Sequence, residues 1–315
     1  LATLALLATG CEGEVSTDNS SVLGLQSPGM TPELLAPGLV STDALEALPA
    51  ISPDMGDFYF IRQGSDTSPG YRVVSYRDGE ISEMALEGID GSGEVFISPD
   101  GTTMHFGNMY KERTSEGWSE SISLGAPYDQ IDIMRLTASA SGTYVFDERD
   151  EIGTIRFARL MDGRREAPIA FPEQINSGTF TAHPFIAPDE SYLIWDSERD
   201  DGYGGADLYI SFRQDGGSWG PAINMGDTIN SAHDDIFGSV TSDGKYFIFS
   251  RINLTEQPED SAANIYWVDA KVLNQLKALD GSLTAEIPLE IGAPSLSTAI
   301  NHYDEEAGFE TANSN

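Results

Sequence analysis

Residues 187–195, APDESYLIW, and residues 241–249, TSDGKYFIF, share one pattern, a short polar turn followed by an apolar, aromatic-rich segment. The same pattern starts at Ser52, Ser98 and Ser139, so the chain holds five copies. The third residues of successive turns lie 46, 41, 48 and 54 residues apart. Repeats with periods of about 40 to 50 residues are typical of propeller blades.

Each copy continues with further strand signals. In the fourth copy, the aromatic segment Tyr192 to Trp195 is followed by a second apolar segment, Ala206 to Phe212. A second turn then follows in most copies, for example at Asp78-Gly79 and Asp162-Gly163, and an Asp-Gly pair between strands favours a hairpin. Four antiparallel strands in every repeat predict an all-β fold, a β-propeller of four-stranded blades.

The fifth copy has no second turn, so its fourth strand must come from elsewhere. The segment Glu33 to Leu39 would supply it from the N-terminal side and give five blades, which is our preferred interpretation. Ala285 to Ile291 is the competitor and would suit a sixth blade. After the third strand, spaced apolar residues predict a short helix that ends near Asp280-Gly281. These residues are Val272, Leu273, Leu276 and Leu279.

The chain is strongly acidic. Its 315 residues include 51 Asp and Glu but 17 Lys and Arg, which gives a formal net charge of −34. Affinity for nucleic acid or anionic lipid headgroups depends on clustered basic residues, so neither is expected as a partner. The hydrophobic content of 40% indicates a folded core.

The N-terminal segment has the features of a targeting signal. Leu1 to Thr9 is apolar and too short to span a bilayer. Ala8-Thr9-Gly10-Cys11 resembles the bacterial lipobox, although Leu7 stands one place further from Cys11 than is usual. The resemblance implies a lipid anchor on Cys11 as the only membrane contact of an extracytoplasmic lipoprotein, on the periplasmic side or in the outer membrane. We therefore divide the chain into a signal (1–11), a polar tether (12–32), the propeller (33–279) and a C-terminal tail or partial strand (280–315).

A group of acidic residues lies between two predicted strands of the fourth copy, near Gly202, Gly204 and Gly205. Carboxylate oxygens on a flexible backbone suit Ca²⁺, so this group is a candidate calcium site, without the turn glycine or the flanking helices of an EF-hand. The alternative is a solvated acidic surface that favours solubility. The residues are Asp196, Glu198, Asp200, Asp201 and Asp207.

A second group of polar residues lies at or near the start of predicted innermost strands and would ring one mouth of a central channel. These residues are Glu46, Asp132, His183, His233, Asp234 and Asp235. The His spacing gives little indication of a metal site, and we assign no catalytic residue. Four arginines follow the second strand of their copies and are expected to form ion pairs between blades. They are Arg62, Arg149, Arg199 and Arg251.

Several short motifs resemble the TolB-like, WD40-like β-propeller repeats of bacterial envelope proteins. They include Ser197-Glu198-Arg199, Gly204 to Tyr209, Trp219-Gly220-Pro221, Ile229-Asn230-Ser231 and Ser242-Asp243-Gly244. The resemblance covers roughly residues 33 to 279. It implies an extracytoplasmic propeller that binds other proteins or envelope polymers, and it implies no reaction, because propellers include both enzymes and scaffolds.

Three functions are therefore considered. The preferred one is a non-catalytic binding or scaffold module for an envelope protein, peptide or glycan. The first alternative is a polysaccharide lyase or hydrolase that uses the propeller channel. The second is a structural envelope component stabilised by calcium.

Overall fold

A computed structural model describes residues 21–64, 69–89, 93–257 and 260–283. The described chain is an all-β propeller with five four-stranded antiparallel blades. The fold class and the preferred number of blades predicted from the sequence are therefore confirmed. Cys11, the predicted lipidation residue, and Ala285 to Ile291, the predicted alternative strand, lie outside the described residues.

The first four blades follow the chain in order from the innermost strand to the outermost. Blade 1 contains β2 (Leu45–Ile51), β3 (Asp57–Gln63), β4 (Gly70–Arg77) and β5 (Glu80–Ala85). Blade 2 contains β6 (Val95–Ile97), β7 (Thr103–Phe106), β8 (Met109–Thr114) and β10 (Ile122–Ser123), with β9 (Gly117–Trp118) paired to β8. Blade 3 contains β11 (Ile133–Ala138), β12 (Tyr144–Glu148), β13 (Thr154–Ala158) and β16 (Ile169–Ala170), with a small hairpin of β14 (Leu160–Met161) and β15 (Arg164–Arg165). Blade 4 contains β17 (Phe180–Ile186), β18 (Tyr192–Glu198), β19 (Ala206–Phe212) and β20 (Ile223–Asn224).

Blade 5 joins the two ends of the described chain. It contains β21 (Asp234–Val240), β22 (Tyr246–Asn253), β23 (Ala262–Asp269) and, as its outermost strand, β1 (Glu33–Leu34). In the register of this pair, Glu33 lies opposite Trp267 and Leu34 lies opposite Tyr266. Ring closure by the N-terminal segment is therefore confirmed, with a strand of two residues instead of the seven expected between residues 33 and 39.

The segment just before β1 packs on the propeller. A short 3-10 turn, Val22–Gly24, buries Val22 and Leu23 in a cluster that also contains Leu35 and Met55. The Leu23 amide donates a hydrogen bond to the Met55 carbonyl at 3.1 Å. Packing therefore begins within the range that we assigned to a polar tether from its composition.

The turns that defined the repeat are held by their own side chains. In blade 2, the Asp100 carboxylate accepts hydrogen bonds from the Ser98 hydroxyl at 2.6 Å and the Thr102 amide at 3.0 Å. Such local bonds are the reason that Ser and Asp favour turns. The strands that follow the turns bury their aromatic side chains between blades, as Trp195 does beside Val145 and Ile155 of blade 3.

One α-helix, α1 (Val272–Leu283), follows β23. Its apolar side chains Val272, Leu273 and Leu276 pack into the cluster between blades 4 and 5. The predicted end at Asp280-Gly281 was too early, because the helix continues to Leu283 and an interior glycine costs a helix only about 1 kcal/mol. Within the described chain, no helix has both the length and the apolar character needed to cross a membrane.

Candidate functional site

One residue from each blade occupies the same repeat position, six residues before the third residue of the turn. These residues are Leu48, Glu94, Arg135, His183 and Phe237. Four of them lie at β-bulges of the innermost strands, and Glu94 directly precedes β6. Glu94 of blade 2 contacts His183 of blade 4 across the molecule, so this position faces the propeller axis.

His183 forms two ion pairs at the axis. Its Nδ1 atom lies 2.9 Å from Asp196 Oδ2, and its Nε2 atom lies 3.2 Å from Glu94 Oε1. Burial alone would lower the pKa of this imidazole, but the negative charges of Asp196 and Glu94 outweigh burial and raise the pKa to about 9. His183 is therefore an imidazolium at neutral pH, with 13% of its side chain exposed.

Two buried aspartates bond to the backbone of the bulges. Asp147 accepts hydrogen bonds from the amides of Arg135 and His183, both at 2.8 Å. Asp196 accepts one from the Phe237 amide at 3.2 Å. A bulge leaves backbone groups without a ladder partner, and these carboxylates bond to such groups across the boundaries of blades 3, 4 and 5. Burial is the main cause of the raised pKa of Asp147.

Glu94 and Arg135 complete the axial cluster, which we define as Glu94, Arg135, Asp147, His183 and Asp196. Arg135 Nη1 lies 3.6 Å from Glu94 Oε2, too far for a hydrogen bond. Burial raises the pKa of Glu94 to about 6, although the charges of His183 and Arg135 oppose this shift. Sequence reasoning missed Glu94, Arg135 and Asp147, although the shared repeat position of Glu94, Arg135 and His183 was a usable signal.

Two acidic residues predicted at a channel mouth are engaged inside their own blades. Glu46 Oε1 pairs with Arg62 Nε at 2.9 Å, and Asp235 Oδ1 pairs with Arg251 Nε at 2.7 Å. In each case the two residues lie directly opposite each other on the first and second strands of one blade. The prediction that Arg62 and Arg251 form ion pairs between blades was therefore wrong, because each pairs with a carboxylate of its own blade.

The other two arginines also differ from the expectation. Arg149 pairs with Asp132 of its own blade, with 3.7 Å between Nε and Oδ2. The Arg199 guanidinium lies 4.2 Å from the centre of the Tyr209 ring in blade 4. At these strand ends, groups on the adjacent strand of the same blade are closer to the arginine side chains than carboxylates of the next blade.

The remaining channel-mouth candidates do not converge. His183 is at the axis, whereas Asp132 and His233 are exposed at the outer ends of their strands. Asp234 Oδ1 accepts a hydrogen bond from the Ala206 amide at 2.9 Å. The structure thus brings only His183, of the six predicted residues, into the axial cluster.

The five candidate calcium ligands do not share one face of blade 4: Asp196, Glu198 and Asp207 lie in paired strands, and Asp200 and Asp201 lie in the exposed loop between them. Asp196 lies opposite Leu208 in the strand pairing, and Asp207 lies opposite Ser197, so Asp196 and Asp207 point to opposite faces of the sheet. Asp207 Oδ2 accepts hydrogen bonds from the Tyr203 amide at 2.7 Å and from Asn224 Nδ2 at 2.8 Å. No group of three or more His, Cys, Asp or Glu residues able to hold a metal ion occurs in the described part of the chain.

The end of the propeller at which the innermost strands begin carries exposed apolar side chains among acidic ones. Tyr203, in the loop between β18 and β19, is 50% exposed, and Ile152, in the loop between β12 and β13, is 49% exposed. The loop of Ile152 contacts blade 4, because the Thr181 amide of β17 donates a hydrogen bond to the Ile152 carbonyl at 2.9 Å. We call this surface the loop face. It consists of Asp132, Asp150, Glu151, Ile152, Asp200, Asp201, Tyr203 and His233.

At the opposite end, which we call the turn face, a cavity opens among the repeat turns. The empty space among its lining residues is about 460 Å³, a value that includes open solvent. Pro53, Pro99, Pro188 and Ser242, the second residues of four of the five turns, line it. Arg135 of the axial cluster also lines this cavity, which therefore extends inward from the turns to the axis.

The similarity of this chain to known proteins is found among solved structures and at low sequence identity. No protein-family profile and no curated protein sequence matches the chain. Among solved structures, TolB from Acinetobacter baumannii aligns at 12% identity over 72% of this chain and 57% of its own, with a TM-score of 0.41. The match thus spans less than two thirds of that TolB.

Two further structures extend the comparison. A TolB-type protein from Agrobacterium tumefaciens aligns at 15% identity over 72% of this chain and 77% of its own, with a TM-score of 0.43. A gluconolactonase from Xanthomonas campestris aligns at 12% identity over 77% of this chain and 87% of its own, also with a TM-score of 0.43. All three alignments, to two TolB-type proteins and a gluconolactonase, have TM-scores below 0.5.

Proposed function

We propose that this chain is a non-catalytic binding module, an extracytoplasmic lipoprotein that is anchored through Cys11 and binds an envelope partner at its loop face. The observation that carries the proposal is the presence of two exposed apolar side chains, Tyr203 and Ile152, on an acidic surface. Exposed aromatic side chains with a polar surround are typical of protein interfaces. A protein or peptide with basic residues is the partner that fits this surface best.

The axial cluster supports a binding role over a catalytic one. Asp147 and Asp196 are buried and bond to backbone amides of the bulges, and His183 lies between two carboxylates. A general acid or base must reach a substrate proton within hydrogen-bond distance. Asp147, Asp196 and His183 instead hold blades 2 to 5 together, so we assign these three residues a structural role.

Site-specific photo-crosslinking tests the proposal in cells that carry the full lipidated chain. A crosslinking amino acid at position 203 is expected to capture a defined envelope component, whereas the same amino acid at Met161, which is exposed on the turn side of blade 3, is not. The captured component is then purified and titrated against Tyr203→Ala and Met161→Ala chains. We expect at least tenfold weaker binding for Tyr203→Ala alone, and weaker binding at high salt.

Two results would contradict the proposal. One is equal capture from positions 203 and 161. The other is turnover of an envelope polysaccharide that is abolished by Asp147→Asn or Glu94→Gln in a chain that remains folded.

A further inference from the structure

The cavity at the turn face has an unusual distribution of polarity. Its lining is largely apolar or prolyl, with Phe96, Phe185, Ile186 and Val240 among its residues. Arg135 is the single charged residue in the lining, and Ser239 and Ser242 are the polar ones. Small-molecule sites commonly have this form, an apolar recess with a few placed polar groups.

The Arg135 side chain is 1% exposed, yet its guanidinium is not saturated with hydrogen bonds. Its Nε and Nη1 atoms are buried and form no hydrogen bond within the described chain. The nearest acidic oxygen, Glu94 Oε2, lies 3.6 Å from Nη1 and likewise has no hydrogen-bond partner there. Buried donors without acceptors are strongly unfavourable, so a structural ion pair alone does not account for this geometry.

We propose that the turn-face cavity binds a small organic monocarboxylate with a slim apolar body, whose carboxylate reaches the Arg135 guanidinium. A guanidinium presents its donors in a planar fork that matches a carboxylate. The apolar part of the ligand lies against Phe96, Phe185 and the turn prolines. The site lies at the opposite end from the loop face, so it goes beyond the partner binding proposed above.

The carboxylates of the axial cluster do not prevent an anion from binding in the cavity. None of the cluster carboxylates lines the cavity. Asp196 and Glu94 pair with the His183 imidazolium, and Asp147 is engaged with two backbone amides. The cavity wall therefore presents a positive group, which disfavours a cationic ligand.

Calorimetric titration of the full chain with butanoate, hexanoate and octanoate tests this inference. Hexanamide and hexylammonium serve as controls of the same length without the negative charge. We expect the carboxylates to bind, with affinity rising about fourfold for each added methylene until the cavity is full. Hexanamide is expected to bind at least tenfold more weakly than hexanoate.

Two variants locate the site. Arg135→Gln removes the guanidinium and is expected to weaken hexanoate binding at least tenfold. Because Arg135 is buried and its replacement can disturb folding, Ser242→Trp is the second variant. Ser242 is exposed at the mouth, so a large ring there is expected to block binding while the thermal midpoint is retained.

Three results would overturn the inference. They are no detectable binding of any carboxylate at millimolar concentration, equal affinity for hexanoate and hexanamide, and unchanged hexanoate affinity in Ser242→Trp. Crosslinking from position 203 does not depend on this cavity, so its outcome is separate from that of the titration.

Discussion

The Nδ1 atom of His183 lies 2.9 Å from Oδ2 of Asp196, on the neighbouring strand of the same blade. This contact lies inside the propeller, because Asp196 is buried. Asp196 also accepts a hydrogen bond from the Phe237 amide of blade 5. The imidazole extends in the other direction to Glu94 of blade 2. The His183 side chain thus joins blades 2 and 4, and Asp196 extends the connection to blade 5.

His183 makes stability depend on pH. Its pKa is raised from 6.5 to about 9 in the folded chain, so its stabilising contribution is complete below about pH 6.5 and is lost as the pH rises through 9. The free energy of unfolding should therefore fall between about pH 6 and pH 9.5. We expect this fall to be smaller in His183→Asn, by at most about 3 kcal/mol. Urea unfolding at both pH values measures this, and equal pH slopes in the two chains would contradict it.

Asp196 is expected to control the charge of His183. In Asp196→Asn, the nearest negative charge is lost while burial still disfavours the imidazolium, so the pKa of His183 falls below about 9. NMR titration of the His183 ring measures the shift, and His233, which is exposed, is the internal reference. An unchanged His183 pKa would contradict this and would mean that Glu94, without Asp196, is enough to keep the imidazole protonated.

Closure of the ring is expected to depend on Leu35 and only weakly on its neighbour Leu34. Leu35 has 0% of its surface exposed and packs in the cluster between β1 and blade 1, whereas Leu34 is 36% exposed. We expect Leu35→Ala to lower the free energy of unfolding by about 2–5 kcal/mol and Leu34→Ala by under about 1 kcal/mol. Urea unfolding compares the two, and equal losses would argue against this closure.

The ion pair between Arg251 and Asp235 is expected to stabilise blade 5 more than the exposed pair of Arg149 and Asp132 stabilises blade 3. Asp235 is fully buried beside Arg251, and the other pair is open to solvent. Double-mutant cycles with Arg→Met and Asp→Asn variants should give a coupling of about 1–3 kcal/mol for the first pair and about 0–1 kcal/mol for the second. Similar coupling energies for the two pairs would mean that burial does not determine the strength of these ion pairs.

Calcium is expected to have no selective effect on stability, because Asp196 and Asp207 point to opposite faces of blade 4. Thermal midpoints measured in chelator, in calcium and in magnesium at equal ionic strength should differ only through general screening. A calcium-selective rise that disappears in Asp200→Ala would instead support the site inferred from composition.

Much of the fold could be predicted because its signals are local. The turn at Ser98, the aromatic strand Tyr192 to Trp195 and the second turn at Asp78-Gly79 each depend on residues close in sequence. Their recurrence at a period of about 40 to 50 residues then predicted a propeller. The missing strand of the fifth copy left two candidates, Glu33 to Leu39 and Ala285 to Ile291, and the preferred one, at Glu33, closes the ring.

The axial cluster depends on contacts that no local pattern contains. Glu94, Arg135 and His183 come from three blades and meet only when the ring closes. Likewise, strand register, not composition, pairs Asp235 with Arg251 inside one blade and divides Asp196 from Asp207. The sequence by itself determined the repeating hydrophobic pattern and hence the blades. Tertiary structure alone decided which charges are buried together, because that depends on distances across the axis between residues remote in the chain.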